Sequence, residues 1–468
     1  MTSQTHAELR TLLGADAVLT AAHDLEAFEI DHRKLYRGHA LAVLLPKDTE
    51  QVAAITRWCN ERRIALVPQG GNTGYCGGAT PDESGRQLVL SLRRLNRIRD
   101  LDAANYSMTV EAGCVLAQIQ QAADAADRFF PLSLGSEGSC QIGGNLATNA
   151  GGLNVVRYGM TRDLVLGIEA VLADGTVLPG LKSLRKDNTG YDLKSLLVGS
   201  EGTLAVITAA TLKLWPKMRV SATALLAVHS PAAALALLGS LRAAASEFLS
   251  SFELMPRIGI ELATRYVEGV RDPFEHPYPW YILCELTSGG PEDLDALLQT
   301  TLSAAMERDG ILDAVLANSE RVRADFWYLR EHIPEAQRRA GPSLKHDISV
   351  PVASLPEFIT EASQWVHEQV PEGILVCYGH AGDGNLHFNI NQLSGANSAA
   401  FLAREPAIRR AIHDLVARYH GSISAEHGIG RLKREELQRY ASPVKLAMMG
   451  AIKRALDPNG IMNPGKLL

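Results

Sequence analysis

The fold of this chain is decided by the stretch "DTEQVAAITRWCNERRIALVPQGGNTG" (48–74). Its first part places apolar residues at helical spacing, among them Val52 and Ile55, behind Asp48 or Thr49 as the helix cap. A short apolar run then predicts a buried strand, and the glycines that follow predict a tight turn. Such a turn offers backbone N–H groups that can hold a phosphate group.

Strand and helix patterns continue beyond this stretch. Strands are predicted in "RQLVLSL" (86–92) and "SMTVEAG" (107–113), an amphipathic helix in "CVLAQIQQAADAADRFF" (114–130), and a hairpin in "GIEAVLADGTVLPG" (167–180). A second series of strand and helix signals begins at about 218, and helices return near 402–418 and 443–456. With 468 residues, the chain is long enough for two or three domains. We therefore predict an α+β protein with a second α+β domain.

Composition excludes several classes of protein. The net charge is −6 and no block of basic residues stands out, which argues against nucleic acid or an anionic membrane surface as a partner. The six cysteines are scattered without a CxxC pair, so we expect a reducing compartment and neither a zinc ribbon nor an iron–sulfur cluster. We find no signal-peptide pattern and no apolar run of membrane-spanning length, so we expect a cytoplasmic protein.

Three glycine clusters lie beside strand signals in the first half of the chain: "PQGGNTGYCGG" (68–78), "LGSEGSCQIGGNLATNAGG" (134–152) and "VGSEGTLAVI" (198–207). They are either tight turns or nests of backbone N–H groups for a pyrophosphate, and their number favours the second interpretation. No GxGxxG or GxSxG motif occurs. The tail "GIMNPGKLL" has the spacing of a P-loop, but Leu467 replaces the required Ser or Thr.

Two histidines flank an Asp-Gly turn in "VCYGHAGDGNLHFNI" (376–390). His387 and Asn389 alternate with apolar residues, which predicts a half-buried strand. A lone histidine on such a hairpin is most often a hydrogen-bonded structural residue. We expect Asp383 to serve the turn rather than a metal.

A second histidine motif, "SAEHGIG" (424–430), places Glu426 and His427 in a glycine-rich loop. Two histidines and one glutamate form a known ligand set for catalytic zinc. The sequence alone does not establish that this loop meets the hairpin. A structural role, a general base and a metal site therefore all stay open at this point.

Several segments together resemble one family. The matching stretches, in chain order, are "PQGGNTG" (68–74), "GSCQIGGNLATNAGG" (138–152), "VGSEGTLAVIT" (198–208), "GHAGDGNLH" (379–387), "SAEHGIG" (424–430) and "NPGKLL" (463–468). The ordered set resembles the FAD-linked D-2-hydroxy acid dehydrogenases of the vanillyl-alcohol-oxidase fold, in the branch of D-2-hydroxyglutarate, D-lactate and glycolate dehydrogenases. The resemblance implies a two-subdomain, PCMH-type FAD-binding domain over 1–217, a substrate cap with an antiparallel sheet over 218–425, and a segment over 426–468 that returns to the FAD domain.

The resemblance also implies a set of cofactor-binding residues in the three glycine clusters and the tail. They are Pro68, Gly70, Gly71, Asn72, Thr73, Gly74, Gly138, Ser139, Gly143, Gly144, Asn145, Thr148, Asn149, Gly152, Glu201, Gly202, Ile207 and Asn463. Some relatives attach flavin to a histidine in the first cluster, but "QGGNTG" contains none. We therefore expect FAD to be bound non-covalently.

The resemblance further implies a metal site and a base. His380, His387 and Glu426 correspond to ligands of Zn2+ or another divalent metal, and His427 corresponds to the base. Such a metal would stabilise the alkoxide that forms as the hydroxyl loses its proton.

For the substrate carboxylate, the matching residues are Arg330 and Lys345, and Asn389 is a further candidate for a substrate oxygen. Pro334 stands where D-2-hydroxyglutarate-like members have a Thr, so the hydroxyl of that Thr is missing here.

The expected activity is oxidation of a D-2-hydroxy acid to the 2-oxo acid, with hydride transfer to flavin N5. D-2-hydroxyglutarate is the first expected substrate and D-lactate the second. Because the chain has no cluster-binding cysteines, we expect electrons to leave to an electron-transfer flavoprotein or a quinone system, and a homodimer is possible. Two alternatives remain: the flavin-bearing subunit of a glycolate-oxidase-like complex, and a metal-dependent hydrolase in which the glycine turns are only structural.

Overall fold

The structure is a computed structural model that describes residues 2–245, 247–306, 308, 310–392 and 397–468. Helices occur throughout this part of the chain. They are α1 (Thr2–Leu13), α2 (Ala22–Glu29), α3 (Thr49–Arg62), α4 (Leu116–Ala125), α5 (Ile142–Thr148), α6 (Val155–Tyr158), α7 (Leu193–Leu197), α8 (Pro231–Ala245), α9 (Arg257–Tyr266), α10 (Leu294–Met306), α11 (Glu320–Glu331), α12 (Ile333–Ala340), α13 (Leu355–Gln369), α14 (Ser398–Ala403), α15 (Glu405–Arg418), α16 (Arg434–Tyr440) and α17 (Pro443–Leu456). Among the described residues, no helix combines the length and apolar character needed to cross a membrane.

Strands form several separate sheets. They are β1 (Val18–Leu19), β2 (Ala40–Leu44), β3 (Leu66–Gln69), β4 (Gln87–Ser91), β5 (Ile98–Asp102), β6 (Ser107–Glu111), β7 (Arg128–Phe129), β8 (Val165–Leu172), β9 (Val177–Gly180), β10 (Ala205–Lys213), β11 (Trp215–Pro216), β12 (Val220–Val228), β13 (Leu249–Pro256), β14 (Trp280–Ser288), β15 (Ile311–Leu316), β16 (Ser343–Leu344), β17 (Asp347–Ser349), β18 (Ile374–Tyr378) and β19 (Asn385–Asn391). The mixture of helices with antiparallel sheets confirms the predicted α+β class.

The chain divides into two compact units. The first contains Met1–Gly152, Gly159–Lys217 and Glu426–Leu468, and the second contains Leu153–Tyr158 and Met218–Ala425. The predicted first domain, 1–217, included 153–158, whereas this short segment groups with the second unit. Within the second unit, the carbonyl of Leu153 accepts a hydrogen bond from Ser251, and Arg157 donates to Thr287.

The first unit is built on two main sheets. One has the order β1-β2-β4-β3, in which β2, β4 and β3 are parallel. The other is antiparallel, with the order β5-β6-β10-β8-β9. Helix α3 buries Val52 and Ile55 in the core of the first sheet, and the Asp48 side chain accepts from the backbone N–H of Gln51. This geometry confirms the helix that the apolar spacing predicted, with Asp48 as its cap.

The end of the chain completes the first sheet. Leu66 on β3 forms a parallel bridge with Met462, and its carbonyl accepts from the backbone N–H of Asn463. The side chain of Lys453 on α17 donates to Asp457 and to the carbonyls of Thr203 and Met462. The tail is thereby held beside the strand that leads into the first glycine-rich turn.

The second unit also contains two main sheets. One is antiparallel with the order β13-β14-β12-β15, and the other places β19 between β18 on one side and β16 and β17 on the other. The prediction that β19 is half-buried is wrong, because Asn389 on the expected solvent face is only 3% exposed. The amide groups of Gln337 and Asn391 cover that face with hydrogen bonds.

Candidate active site

A cavity opens in the first unit, where β3, α5 and the start of β10 meet the loop that carries His427. Most of the residues predicted to bind a cofactor line it. They are Pro68, Gly70, Gly71, Asn72, Thr73, Gly74, Gly143, Gly144, Asn145, Thr148, Glu201, Gly202 and Ile207. The glycine-rich wall suits a ligand that lies close to the backbone.

The first glycine-rich turn follows β3 and is anchored from both ends. The Gln69 side chain donates to the carbonyls of Phe28 and Ala79, and the Asn72 side chain donates to that of Ile30. A Cβ at Gly71 would lie 2.2 Å from the carbonyl oxygen of Ser139, a distance that no side chain tolerates. Glycine is required at position 71 because two backbone segments touch there.

The second wall of the cavity is α5. Gly143 packs directly on Ala112, since its N–H donates to the Ala112 carbonyl at 2.8 Å and an added Cβ would lie 2.7 Å from the Ala112 Cβ. Gln141 and Asn145 are buried and line the cavity. Among the described residues, neither Gln141 Oε1 nor Asn145 Oδ1 has a hydrogen-bond partner. These two acceptors therefore suit the polar edge of a bound ligand.

Glu201 holds the loop that carries His427. Its two carboxylate oxygens accept hydrogen bonds from the backbone N–H groups of Ile429 at 2.8 Å and Gly430 at 2.7 Å. Burial raises the pKa of Glu201, and the two backbone donors oppose that rise. Glu201 was predicted to bind the cofactor, and its carboxylate also fixes a distant loop.

His427, the predicted base, lies on the wall of the cavity. Its ring meets the ring of Tyr75 edge to face, with a centroid distance of 4.7 Å, and Tyr75 also contacts His32 at 5.5 Å. The Cys76 thiol donates to the carbonyl of Gly428 in the same loop. The His427 ring is therefore positioned by contacts from the segment that directly follows the first glycine-rich turn.

Five residues predicted to bind a cofactor do not line the cavity. They are Gly138, Ser139, Asn149, Gly152 and Asn463. The N–H of Gly152 donates to Oε1 of Glu426 at 2.9 Å, so Gly152 positions a predicted metal ligand. Asn149 ends α5 in the left-handed region, with φ 50°, and its Oδ1 accepts from the N–H of Arg162. The Asn463 side chain donates to the carbonyls of Gly78 and Glu201, behind the cavity wall.

In the second unit, His380 lies on the connection between β18 and β19, and His387 lies in β19. Their ring centroids are 5.4 Å apart. Asp383 accepts from the N–H of Asn385, which confirms that it serves the turn, and burial raises the pKa of Asp383 to about 6. Glu426 belongs to the first unit, so the three-residue ligand set stays a prediction.

Arg330, on α11, is buried rather than solvated. Its Nε donates to Oε2 of Glu253 at 2.8 Å, and its guanidinium lies 5.0 Å from the ring centre of Tyr378. The other carboxylate oxygen of Glu253 lies 2.7 Å from Nδ1 of His380. One buried carboxylate thus joins a predicted substrate residue to a predicted metal ligand.

The remaining predicted substrate residues differ in exposure. Lys345 is exposed on the link between β16 and β17. Asn389 is buried, donates to Gln337 and accepts from the N–H of His346. Pro334 lies in the first turn of α12, where a missing N–H costs no helical hydrogen bond.

Comparison with known proteins shows which family this architecture belongs to. A family model described as "FAD linked oxidases, C-terminal domain" matches residues 217–467, and one described as "FAD binding domain" matches residues 40–179. The chain belongs to the FAD-linked oxidases. It is 40% identical over 457 residues to the mitochondrial D-2-hydroxyglutarate dehydrogenase of Bos taurus, covering 96% of this chain and 81% of the relative. It is 36% identical over 467 residues to the D-2-hydroxyglutarate dehydrogenase of Xanthomonas citri pv. viticola, covering 100% and 97%.

The fold of this FAD-linked oxidase is also found in solved structures. The crystal structure of p-cresol methylhydroxylase with substrate bound superimposes with a TM-score of 0.79 at 19% identity, covering 99% of this chain and 96% of that one. The predicted vanillyl-alcohol-oxidase fold and the predicted family are therefore confirmed.

The cavity fits the FAD that this family of oxidases uses. Glycines at 70, 71, 143 and 144 expose backbone to the cavity, and the acceptors of Gln141 and Asn145 are buried within its wall. Backbone N–H groups of a glycine-rich turn can hold the pyrophosphate, and buried acceptors can serve the polar groups of the ring system. Contacts of individual residues with the cofactor stay predictions.

Sequence reasoning missed several residues of this FAD-linked oxidase that shape the site. Gln69, Gln141 and Tyr75 stand next to glycine motifs, so proximity to those motifs was an available signal. Glu253 had no such signal, because "LSSFELMP" (249–256) reads as an ordinary strand with a single glutamate.

Proposed function

We propose that this chain oxidises a D-2-hydroxy acid to the corresponding 2-oxo acid with non-covalently bound FAD, and that D-2-hydroxyglutarate is its substrate. The relatives named D-2-hydroxyglutarate dehydrogenase match nearly the whole chain, and their matches include the regions that both family models cover. The absence of histidine from "QGGNTG" supports non-covalent binding.

The observation that carries the proposal is the place of His427 on the wall of the glycine-lined cavity. Oxidation of a secondary alcohol removes a proton from oxygen and a hydride from carbon. FAD supplies the hydride acceptor when it is bound. The imidazole of His427 takes the proton at a ring nitrogen, as a general base. Glu201 and Tyr75 keep that ring at the cavity while the substrate is held.

We further propose that His380, His387 and Glu426 hold a divalent metal, with zinc first and manganese or cobalt as alternatives. The donor set supports this proposal, because two imidazoles and a carboxylate suit zinc and leave a position for substrate. Two contacts support it further: Glu253 orients His380, and the N–H of Gly152 orients Glu426. The metal, when bound, lowers the pKa of a coordinated hydroxyl.

Arg330 and Lys345 are the proposed partners of the substrate carboxylates. Asn389 is proposed for a further substrate oxygen. Pro334 offers no hydroxyl where D-2-hydroxyglutarate-like members have a Thr, and this departure makes D-lactate, the shorter acid, the second candidate. Electrons leave the flavin to an electron-transfer flavoprotein or a quinone system, since the chain carries no CxxC pair for a metal cluster.

The test is spectroscopic and kinetic. The purified protein should show flavin absorption that bleaches when D-2-hydroxyglutarate is added without oxygen, and it should reduce an artificial dye. Values of kcat/KM for D-2-hydroxyglutarate, D-lactate and their L-forms rank the substrates. A flavin that no D-2-hydroxy acid bleaches would overturn the proposal. Flavin bleaching without dye reduction would instead indicate a subunit that needs a partner for its reoxidation.

A further inference from the structure

Glu253 lies at a junction inside the second unit. It belongs to β13, an edge strand, and is 0% exposed. The next residue, Leu254, exchanges two backbone hydrogen bonds with Gly379, at 2.8 and 3.0 Å. This bridge fixes the backbone of β13 directly beside His380, so the Glu253 side chain has little freedom to move away from that ring.

The two oxygens of Glu253 serve different partners. Oε1 lies 2.7 Å from Nδ1 of His380, while Oε2 accepts from Nε of Arg330 at 2.8 Å and lies 2.5 Å from its Nη2. A carboxylate that is paired with a guanidinium through Oε2 accepts hydrogen bonds at both of its oxygens.

An acceptor at Nδ1 decides the tautomer of His380. Because the carboxylate cannot donate, Nδ1 must carry the proton, and Nε2 becomes the nitrogen that can ligate a metal. A carboxylate behind a ligating imidazole fixes the ring and raises its basicity.

We propose that Glu253 is a positioning residue that sets the tautomer of His380 for metal binding and, through its other oxygen, fixes the guanidinium of Arg330 for the substrate carboxylate. This inference rests on the proposed function, because it takes His380 as a metal ligand and Arg330 as a substrate residue. Metal affinity and substrate affinity are thereby linked through one side chain that contacts neither ligand.

The chain offers a matched control on the neighbouring strand. Glu285 on β14 is also buried, and it forms an ion pair with Arg323, which lies on the same helix as Arg330. Its remaining side-chain partners are Trp327 and Thr223, and among the described residues it pairs with no histidine. Both Glu253→Gln and Glu285→Gln remove a buried Glu–Arg ion pair. Only Glu253→Gln also removes the carboxylate that contacts His380.

The experiment measures zinc binding to the flavin-loaded protein after removal of metal by a chelator. Zinc ions are titrated against a chromophoric chelator for the wild type, Glu253→Gln and Glu285→Gln. A glutamine cannot accept from His380 and Arg330 at once. We therefore expect Glu253→Gln to weaken zinc binding by about 10- to 100-fold, with Glu285→Gln within about threefold of the wild type. At saturating zinc, we expect Glu253→Gln to recover kcat in part and to keep a raised KM.

Each outcome decides a different point. Suppose that the wild type binds zinc and oxidises the hydroxy acid, and that folded Glu253→Gln binds zinc within about threefold of the wild type. This result would overturn the role of Glu253 and leave the proposed function standing. A wild type that does neither would overturn the proposed function and this role with it. If Glu253→Gln does not fold, the double variant Glu253→Gln/Arg330→Gln is used, because it also removes the guanidinium that would be left unpaired. Weakened zinc binding in the double variant supports the role of Glu253, and normal zinc binding overturns it.

Discussion

Glu201 and Gly430 are 229 residues apart in the chain, yet a carboxylate oxygen of Glu201 accepts the N–H of Gly430 at 2.7 Å. The second oxygen accepts the neighbouring N–H of Ile429. This pairing is what holds the loop of His427 against the cavity, because both hydrogen bonds lie within three residues of that ring.

We therefore expect Glu201→Gln to loosen this loop. A glutamine presents one acceptor and one donor to two N–H groups, so one charge-assisted hydrogen bond is lost, at a cost of about 1.5–3 kcal/mol. Thermal unfolding should shift downward, and turnover should fall by roughly tenfold or more as the base loses its position. Glu50→Gln, on the exposed side of α3, is the control and should change neither quantity. Unchanged turnover in Glu201→Gln would show that the loop has another anchor.

His427→Ala is expected to retain flavin and lose turnover. General-base catalysis contributes about 10²- to 10⁴-fold, so kcat should drop by that factor while the flavin spectrum stays intact. The exposed His23 provides the comparison, since His23→Ala should behave like the wild type. Near-normal turnover of His427→Ala would exclude it as the base.

Gly71→Ala is expected to disrupt the cavity. Its Cβ would lie 2.2 Å from the carbonyl oxygen of Ser139, and strain of this kind costs roughly 1–3 kcal/mol or more. We expect lower flavin content after purification and a lower unfolding temperature. At Gly135, a Cβ meets no atom within 4 Å, so Gly135→Ala is the matched control. Full flavin occupancy in Gly71→Ala would contradict the close approach of the two segments.

Removal of divalent metal is expected to abolish turnover and leave the flavin spectrum unchanged. Dialysis against a chelator, followed by addition of zinc, manganese or cobalt, should restore activity to an extent that identifies the preferred ion. His387→Ala should lose metal content measured by elemental analysis, again with flavin retained. Full activity in metal-free protein would refute the proposed centre.

Lys466 is expected to make the free energy of unfolding depend on pH in the alkaline range. It is 2% exposed, and burial lowers its pKa to about 8, with Arg431 adding to the effect and Asp82 opposing it. Between pH 8 and 10.5 the unfolded chain binds more protons than the folded one, so stability rises with pH in this window by about 1.4 kcal/mol per unit.

Lys466→Met lacks this titration. Relative to that variant, the wild type should gain about 2 kcal/mol of unfolding free energy between pH 8 and pH 9.5, measured by urea denaturation. A difference that does not change with pH would mean that Lys466 is protonated throughout.

Local patterns in the sequence were sufficient for elements whose stability is local. Helix α3 and its Asp48 cap follow from apolar spacing and from a side chain three residues from its hydrogen-bond donor. The ordered motifs likewise identified the family and the fold, because each glycine cluster is required by backbone packing such as that of Gly71 on Ser139.

Features that depend on distant partners could not be predicted. Strand β19 alternates like a surface strand, and nothing local shows that Gln337, 52 residues away, covers Asn389. Glu253 pairs with residues 77 and 127 positions further along, so its role is invisible in "LSSFELMP". The grouping of 153–158 with the second unit was hidden for the same reason, since its partners Ser251 and Thr287 lie 98 and 130 positions away from the residues they bind.

The bridge between Leu66 and Met462 constrains biosynthesis. Strand β3 leaves the ribosome early, but its outer hydrogen bonds come from residues 461–463, almost 400 positions later. During translation, the outer edge of β3 therefore stays without its final backbone partner until the second unit has been made.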